Sequence, residues 1–199
     1  IDTFIIDALM WKIKPDIVLS NGFRFCPPNT TRDATGNIPI TEGYIFDMLP
    51  VDSTVRTAKV SGKQIKEWLE KELNNVFAKD ASKRLGGWVV KFKGMKVEFK
   101  AFEEMGNRVK SVSVNGEKLD AGKMYVVSAC EREGDPDTML CRIPNVKEGT
   151  NTPFTLHEVM KEYLAKNSPV TPKPERNAII LDAPSTMLTQ VYGVDYKFV

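Results

Sequence analysis

The sequence predicts an α+β (mixed α/β) fold, a single domain in which one mixed β-sheet is flanked by helices. Three observations predict it. Helix-period and strand-period segments alternate along the chain. Hairpin signals such as Asn115-Gly116 stand beside longer crossovers, so strands of both directions are expected in the sheet. Two capping boxes, Ser61-Gly62-Lys63-Gln64 and Thr155-Leu156-His157-Glu158, open amphipathic helices.

Taken in order, residues 1 to about 13 place Ile1, Ile5, Ala8, Leu9 and Ile13 on one helical face, which ends before Pro15. Ile17 to Ser20 is a short apolar, largely β-branched strand. Residues 26–37 form a loop, and Thr41 caps a helix running to Met48 that Pro50 closes. A strand at Val55–Val60 meets the first capping box, and Ile65, Trp68, Leu69, Leu73 and Val76 then form one buried stripe. Met95–Lys100 alternates as a half-buried strand, Gly106-Asn107 turns the chain, and Arg108–Val114 returns to the Asn115-Gly116 hairpin turn. Met124–Ala129 is an apolar run but for Ser128 and is expected near the centre of the sheet, followed by a polar loop from Cys130 to Asp137. The second capping box starts a helix with Val159, Met160, Tyr163 and Leu164 inward, ending near Asn167. Residues 168–176 carry three prolines and read as an extended linker, with a strand at Ala178–Leu181 in the tail. The expected organisation is therefore a domain over 1–167 and a linker with a tail over 168–199.

Composition narrows the function. A net charge of +2 implies no nucleic-acid or membrane-surface partner, and no run of 18 apolar residues offers a membrane span. Ile1 is not an initiator methionine, so the chain is expected to be a fragment or a processed product. Three cysteines (Cys26, Cys130, Cys141) are too few for a disulfide framework and irregular for zinc. A single histidine, His157, cannot build a dinuclear hydrolytic centre, and its place in the first turn of a capped helix suggests a surface residue.

The stretch with chemistry in it is Ser20-Asn21-Gly22-Phe23-Arg24-Phe25. A guanidinium at a strand end, beside a glycine that lets a ligand approach the backbone, suits an anionic oxygen cluster. Arg24 is either that anion contact or a surface arginine paired with a neighbouring acid. Asn21 and Gly22 are amide and backbone contacts or a plain turn, and Phe23 and Phe25 are substrate walls or core packing. Gly134-Asp135-Pro136-Asp137 offers Asp135 as a polar contact, or an ordinary turn.

The order of signals resembles the C-terminal domain of the 5′-nucleotidase superfamily over most of residues 1–165. The matching pieces are the Asp7-Ala8 helix, the strand leading to Gly22-Phe23-Arg24, Ile40-Thr41-Glu42 leading to Leu49-Pro50, the Ser61-Gly62 helix with Leu69-Glu70, Gly86-Gly87, Asn115-Gly116, and the Tyr125 strand leading to Gly134-Asp135. The resemblance implies a two-domain enzyme. An absent N-terminal metallophosphoesterase domain of the same parent chain would carry two divalent metals (Mn or Zn), and this chain would bind no cofactor and hold no catalytic residue. It would supply substrate contacts from Arg24, Asn21, Gly22, Phe23, Asp135 and Arg132. The isolated chain is then expected to be inactive and the parent periplasmic or extracellular.

Two positions depart from the nucleotidases. The aromatic rings that sandwich a nucleobase follow the Leu-Pro pair, here Val51, and precede the Gly-Asp pair, here Ala129 to Glu133. Neither position is aromatic, and stacking is worth roughly 1–3 kcal/mol per base, which argues against a nucleotide substrate. Ser20-Asn21-Gly22-Phe23-Arg24-Phe25, Arg84-Leu85-Gly86-Gly87, Met105-Gly106-Asn107-Arg108 and Asn115-Gly116-Glu117-Lys118-Leu119-Asp120 are similar to the SoxB branch, the sulfate thiohydrolases, whose substrate is a sulfonated cysteine on a sulfur-carrier protein. Phosphate ester, sulfate ester and thiosulfonate all present a tetrahedral oxyanion that one arginine can hold. The alternative is a stand-alone, non-catalytic module gripping an anionic ligand or a carrier protein. Cys26 and Cys130 follow strand ends that the family folds toward one cleft, so they either pair or leave a reactive thiol beside Arg24 or Arg132.

Overall fold

The computed structural model describes residues 2–20, 29–85, 91–130, 134–173 and 175–182. Helix α1 (Asp2–Ile13) buries Phe4, Ile5, Ile6, Ala8 and Leu9 and gives way to strand β1 (Ile17–Ser20), buried along its whole length. In α2 (Glu42–Met48) the Thr41 hydroxyl accepts the Tyr44 N–H, as its cap position predicts. Strand β2 (Thr54–Ser61) passes directly into α3 (Gly62–Phe77), whose Ser61–Gln64 capping box is closed on both sides. A 3₁₀ turn (Ala81–Lys83) follows. Next come β3 (Lys91–Lys93), β4 (Met95–Phe99), β5 (Val109–Val114) and β6 (Glu117–Lys118). Between the last two, Asn115 and Gly116 both take positive φ (52° and 87°), the type I′ geometry that Asn-Gly favours. The chain continues through β7 (Met124–Cys130), the short β8 (Met139–Leu140) and β9 (Ile143–Pro144), β10 (Lys147–Thr155), α4 (Leu156–Asn167) with its own closed capping box, and β11 (Ala178–Ile180).

The mixed α/β class holds, but the strands divide where one sheet is expected. A five-stranded sheet has the order β10-β2-β7-β1-β3, a four-stranded sheet the order β11-β4-β5-β6, and β8 and β9 form a separate ribbon. Both larger sheets are mixed: β1 runs parallel to β7, and β11 parallel to β4, while the other pairs are antiparallel. The stripe on α3 explains the division. Ile65, Trp68, Leu69 and Leu73 share one core with Ile17, Leu19 and Val127 of the first sheet and with Val97, Phe99, Val112 and Val114 of the second. Val18 and Val55 point the other way, into a second core with Phe4, Leu9, Met48, Leu156 and Met160. Covered on both faces, β1 has no polar alternation, hence its unbroken apolar run.

Two buried ionic groups fix α3 to the second sheet. Arg108 is 2% exposed and donates to Ala101 O, to the Asn74 side-chain Oδ1 and to Phe77 O, the last a carbonyl at the end of α3. Glu70 accepts the Gly106 and Val109 N–H groups across the predicted Gly106-Asn107 turn. Pro169 and Pro172 lie outside regular structure, and the chain returns as β11. Asp182 anchors it there by accepting the Ala101 and Phe102 N–H groups. Among the described residues no helix is long and apolar enough to cross a membrane.

Candidate functional site

The register of the five-stranded sheet brings distant parts of the sequence to one edge. Ser20, the last residue of β1, pairs with Lys91 at the start of β3, and Val18 pairs in parallel with Ser128 of β7. Cys130, the last residue of β7, lies opposite Val55, and Thr155, the last residue of β10, lies opposite Thr54. One edge therefore carries the carboxyl ends of two adjacent parallel strands, together with the segment entering β2 and the N-terminus of α4. Crevices outside such carboxyl ends are where open α/β sheets take ligands.

Of the residues expected at the site, Asp135 is described: half-buried, after Gly134 (φ 84°) in a turn. Arg24, Asn21, Gly22, Phe23 and Arg132 lie outside the described residues. So do Phe25, Cys26 and the side chain of Cys130, and with them the expected pairing or reactive thiol. Cys141 is buried.

The turn holding Asp135 is tied down from beneath. Arg56 on β2 is 3% exposed, yet its Nη2 donates to Asp137 Oδ1 at 2.8 Å and to Asp137 O at 3.1 Å. Gly149 of β10 makes room for this crossing, because a Cβ there would stand 2.6 Å from Asp137 O. Met139 N–H to Pro136 O (2.9 Å) and Val146 N–H to Thr138 O (3.0 Å) complete the tether. Arg56 was legible in part: it shares the parity of Ala58 and Val60, so strand alternation puts it on the buried face.

At the other side of the edge, His157 is buried (2% exposed), which corrects its expected place on the surface. The segment between α2 and β2 folds over the first turn of α4 and covers it. The Leu156 N–H donates to Ser53 O and the His157 N–H to Asp52 Oδ1, so the segment itself satisfies two donors of the helix N-terminus. His157 Nε2 donates to Leu49 O at 2.7 Å, Nδ1 stands 3.7 Å from Asp52 Oδ2, and the Phe46 ring meets the imidazole edge-on at 4.4 Å. A capping box alone does not announce this, since the covering segment lies about a hundred residues earlier in the chain. On the α1, α2 and α4 side, a separate cavity of about 710 Å³ opens between Phe4, Tyr44, Leu164 and the loops at 29–40 and 168–172.

Among the described residues no group of three or more His, Cys, Asp or Glu side chains stands close enough to hold a metal ion. The lone histidine is committed to a backbone carbonyl. The described donor set does not fit a dinuclear centre.

Residues 1–130 match the family model of the 5′-nucleotidase C-terminal domain. The chain belongs to that family. The match spans the Arg24 segment and ends at the close of β7, just before the Asp135 turn. Among solved structures, the sulfate thiohydrolase SoxB of Thermus thermophilus superposes with a TM-score of 0.75 at 25% identity, over 92% of this chain and 32% of its own. A 5′-nucleotidase precursor, also of Thermus thermophilus, gives 0.62 at 22% identity, over 92% of this chain and 35% of its own. The trifunctional nucleotide phosphoesterase protein YfkN of Bacillus subtilis is 27% identical over 182 residues, 86% of this chain and 12% of that protein. The 5′-nucleotidase C-terminal domain thus spans an eighth to about a third of these relatives.

Proposed function

We propose that this 5′-nucleotidase C-terminal domain is the substrate-binding half of a two-domain, metal-dependent hydrolase acting on a phosphate ester, a sulfate ester or a protein-bound thiosulfonate. The family match across the strand-edge segments carries the reading. Arg24 holds the tetrahedral oxyanion, with Asn21, Gly22, Phe23, Asp135 and Arg132 lining the same cleft. A guanidinium fork favours the charge that develops on the transferred oxygens. The N-terminal metallophosphoesterase domain of the parent supplies two divalent metals, Mn or Zn, and the activated water. The parent works in the periplasm or outside the cell, and a sulfur-carrier protein is its macromolecular partner if the substrate is a thiosulfonate.

Within that range the thiosulfonate and simple esters are favoured over nucleotides. Val51, at the position where the resemblance puts a stacking ring, is 67% exposed and offers no π-face. The higher similarity to SoxB than to the nucleotidase precursor points the same way. Steady-state hydrolysis by the purified parent protein with Mn²⁺ tests the preference on AMP, p-nitrophenyl phosphate, p-nitrophenyl sulfate and S-sulfocysteine. The expected result is kcat/KM at least tenfold higher on one of the last three than on AMP. A clear preference for AMP overturns the substrate assignment and leaves the domain assignment standing.

A further inference from the structure

We propose that His157, acting with Asp52, is a positioning residue for the cleft: it locks the Leu49–Ser53 segment onto α4 and so sets where Val51 meets the substrate. The inference rests on the reading that this segment faces the substrate.

The geometry carries it. Val51 sits in a stretch without regular structure, between the end of α2 and the start of β2, and its own side chain is exposed. Its neighbours are held at three points: Leu49 O by His157 Nε2 (2.7 Å), Asp52 Oδ1 by the His157 N–H (2.9 Å) and Ser53 O by the Leu156 N–H (3.0 Å). Two of the three bonds come from one residue. A carbonyl can only accept, so the ring carries its proton on Nε2. Phe46, itself half exposed, packs against the ring and shields that bond from water. Leu49 is buried along with the ring, so losing the donor leaves its carbonyl an unpaired acceptor and frees the segment to move.

Packing and hydrogen bonding are separable here. His157→Phe keeps an aromatic volume and removes the Nε2 donor, while His157→Gln places an amide N–H where Nε2 stood. Two readouts are taken: backbone amide exchange at Leu156 and His157 in this chain, whose N–H groups donate to Ser53 O and Asp52 Oδ1, and KM and kcat of the parent protein with Mn²⁺ on whichever of p-nitrophenyl phosphate, p-nitrophenyl sulfate and S-sulfocysteine it hydrolyses. His157→Phe is expected to speed exchange about fivefold and to raise KM about fivefold with kcat within twofold, and His157→Gln to restore both. Asp52→Ala alters a side chain about one-third exposed and should give the same KM shift, which keeps the test available if His157→Phe does not fold. Wild-type exchange and KM in His157→Phe overturn the proposal, because ring volume then suffices. Val51→Arg tests the underlying reading: a KM unchanged by it means that the segment does not face substrate, and the proposal falls with that reading. Absence of turnover of all three substrates by the wild-type parent overturns both.

Discussion

Glu72 shows what a single buried charge does to this fold. Its side chain is 1% exposed, with Arg142 Nη2 3.2 Å away as its ion partner. Burial pushes its carboxyl above the usual range, against the pull of Arg142 and Lys71. An acid whose folded value is raised contributes fully below its unfolded value and loses that contribution as pH rises through the folded value. Stability should therefore decline across the mildly acidic range for this reason. Glu72→Gln removes the ionisation, and thermal melts between about pH 4 and 8 should show a flatter profile. The variant should match the wild type near the acid end and exceed it near the neutral end. A deficit that grows as pH rises toward neutral would mean that the charged contact with Arg142 outweighs desolvation. Lone residues were the hardest part of the molecule to read from sequence. Asp135 and Arg24 stand out through local turn and strand-end chemistry, whereas His157 and Asp52 acquire their roles from a contact spanning 105 positions.

Elements were far more legible, for physical reasons visible in each. Thr41, Ser61 and Thr155 cap the helices they were expected to cap, because a capping oxygen acts within three residues of itself. Strand β1 and the Asn115-Gly116 hairpin likewise depend on local pattern and φ preference. Strands β3, β8, β9 and β10 gave little signal: three are two or three residues long, and β10 is mostly polar with Gly149 and Pro153 inside it. They are strands because β1, β2 and each other offer edges to pair with. The tether of the Asp135 turn to β2 belongs to this scale. Arg56→Met removes a buried guanidinium whose Nε has no hydrogen-bond partner, and the cost in stability should be small. Asp137→Ala leaves that guanidinium buried with one acceptor fewer, and should cost more, about 1–2 kcal/mol by denaturant unfolding. Both should speed amide exchange at Met139 and Val146. The reverse order of stabilities would show that the guanidinium's bond to the Asp137 backbone carbonyl, which Asp137→Ala keeps, holds the turn.

For the whole molecule, the sheet register gathers distant segments at one edge, and no group able to hold a metal ion stands among the described residues. That edge gathers Ser20, Val55, Cys130 and Thr155; on the proposed function it binds substrate, and the chemistry belongs to a partner domain. The mixed α/β class could be read from alternating periodicities. The split into two sheets could not, since it depends on α3 packing against both at once. The most direct measurement of the central claim is Mn²⁺-dependent hydrolysis of p-nitrophenyl phosphate and S-sulfocysteine by three samples: this chain alone, the parent protein, and the parent carrying Arg24→Ala. The account expects no turnover above buffer from the chain, turnover by the parent, and a fall in kcat/KM of about a hundredfold in the variant, the scale of losing a charged anion contact. Metal-dependent turnover by the chain alone, or an Arg24→Ala parent as active as the wild type, would contradict it.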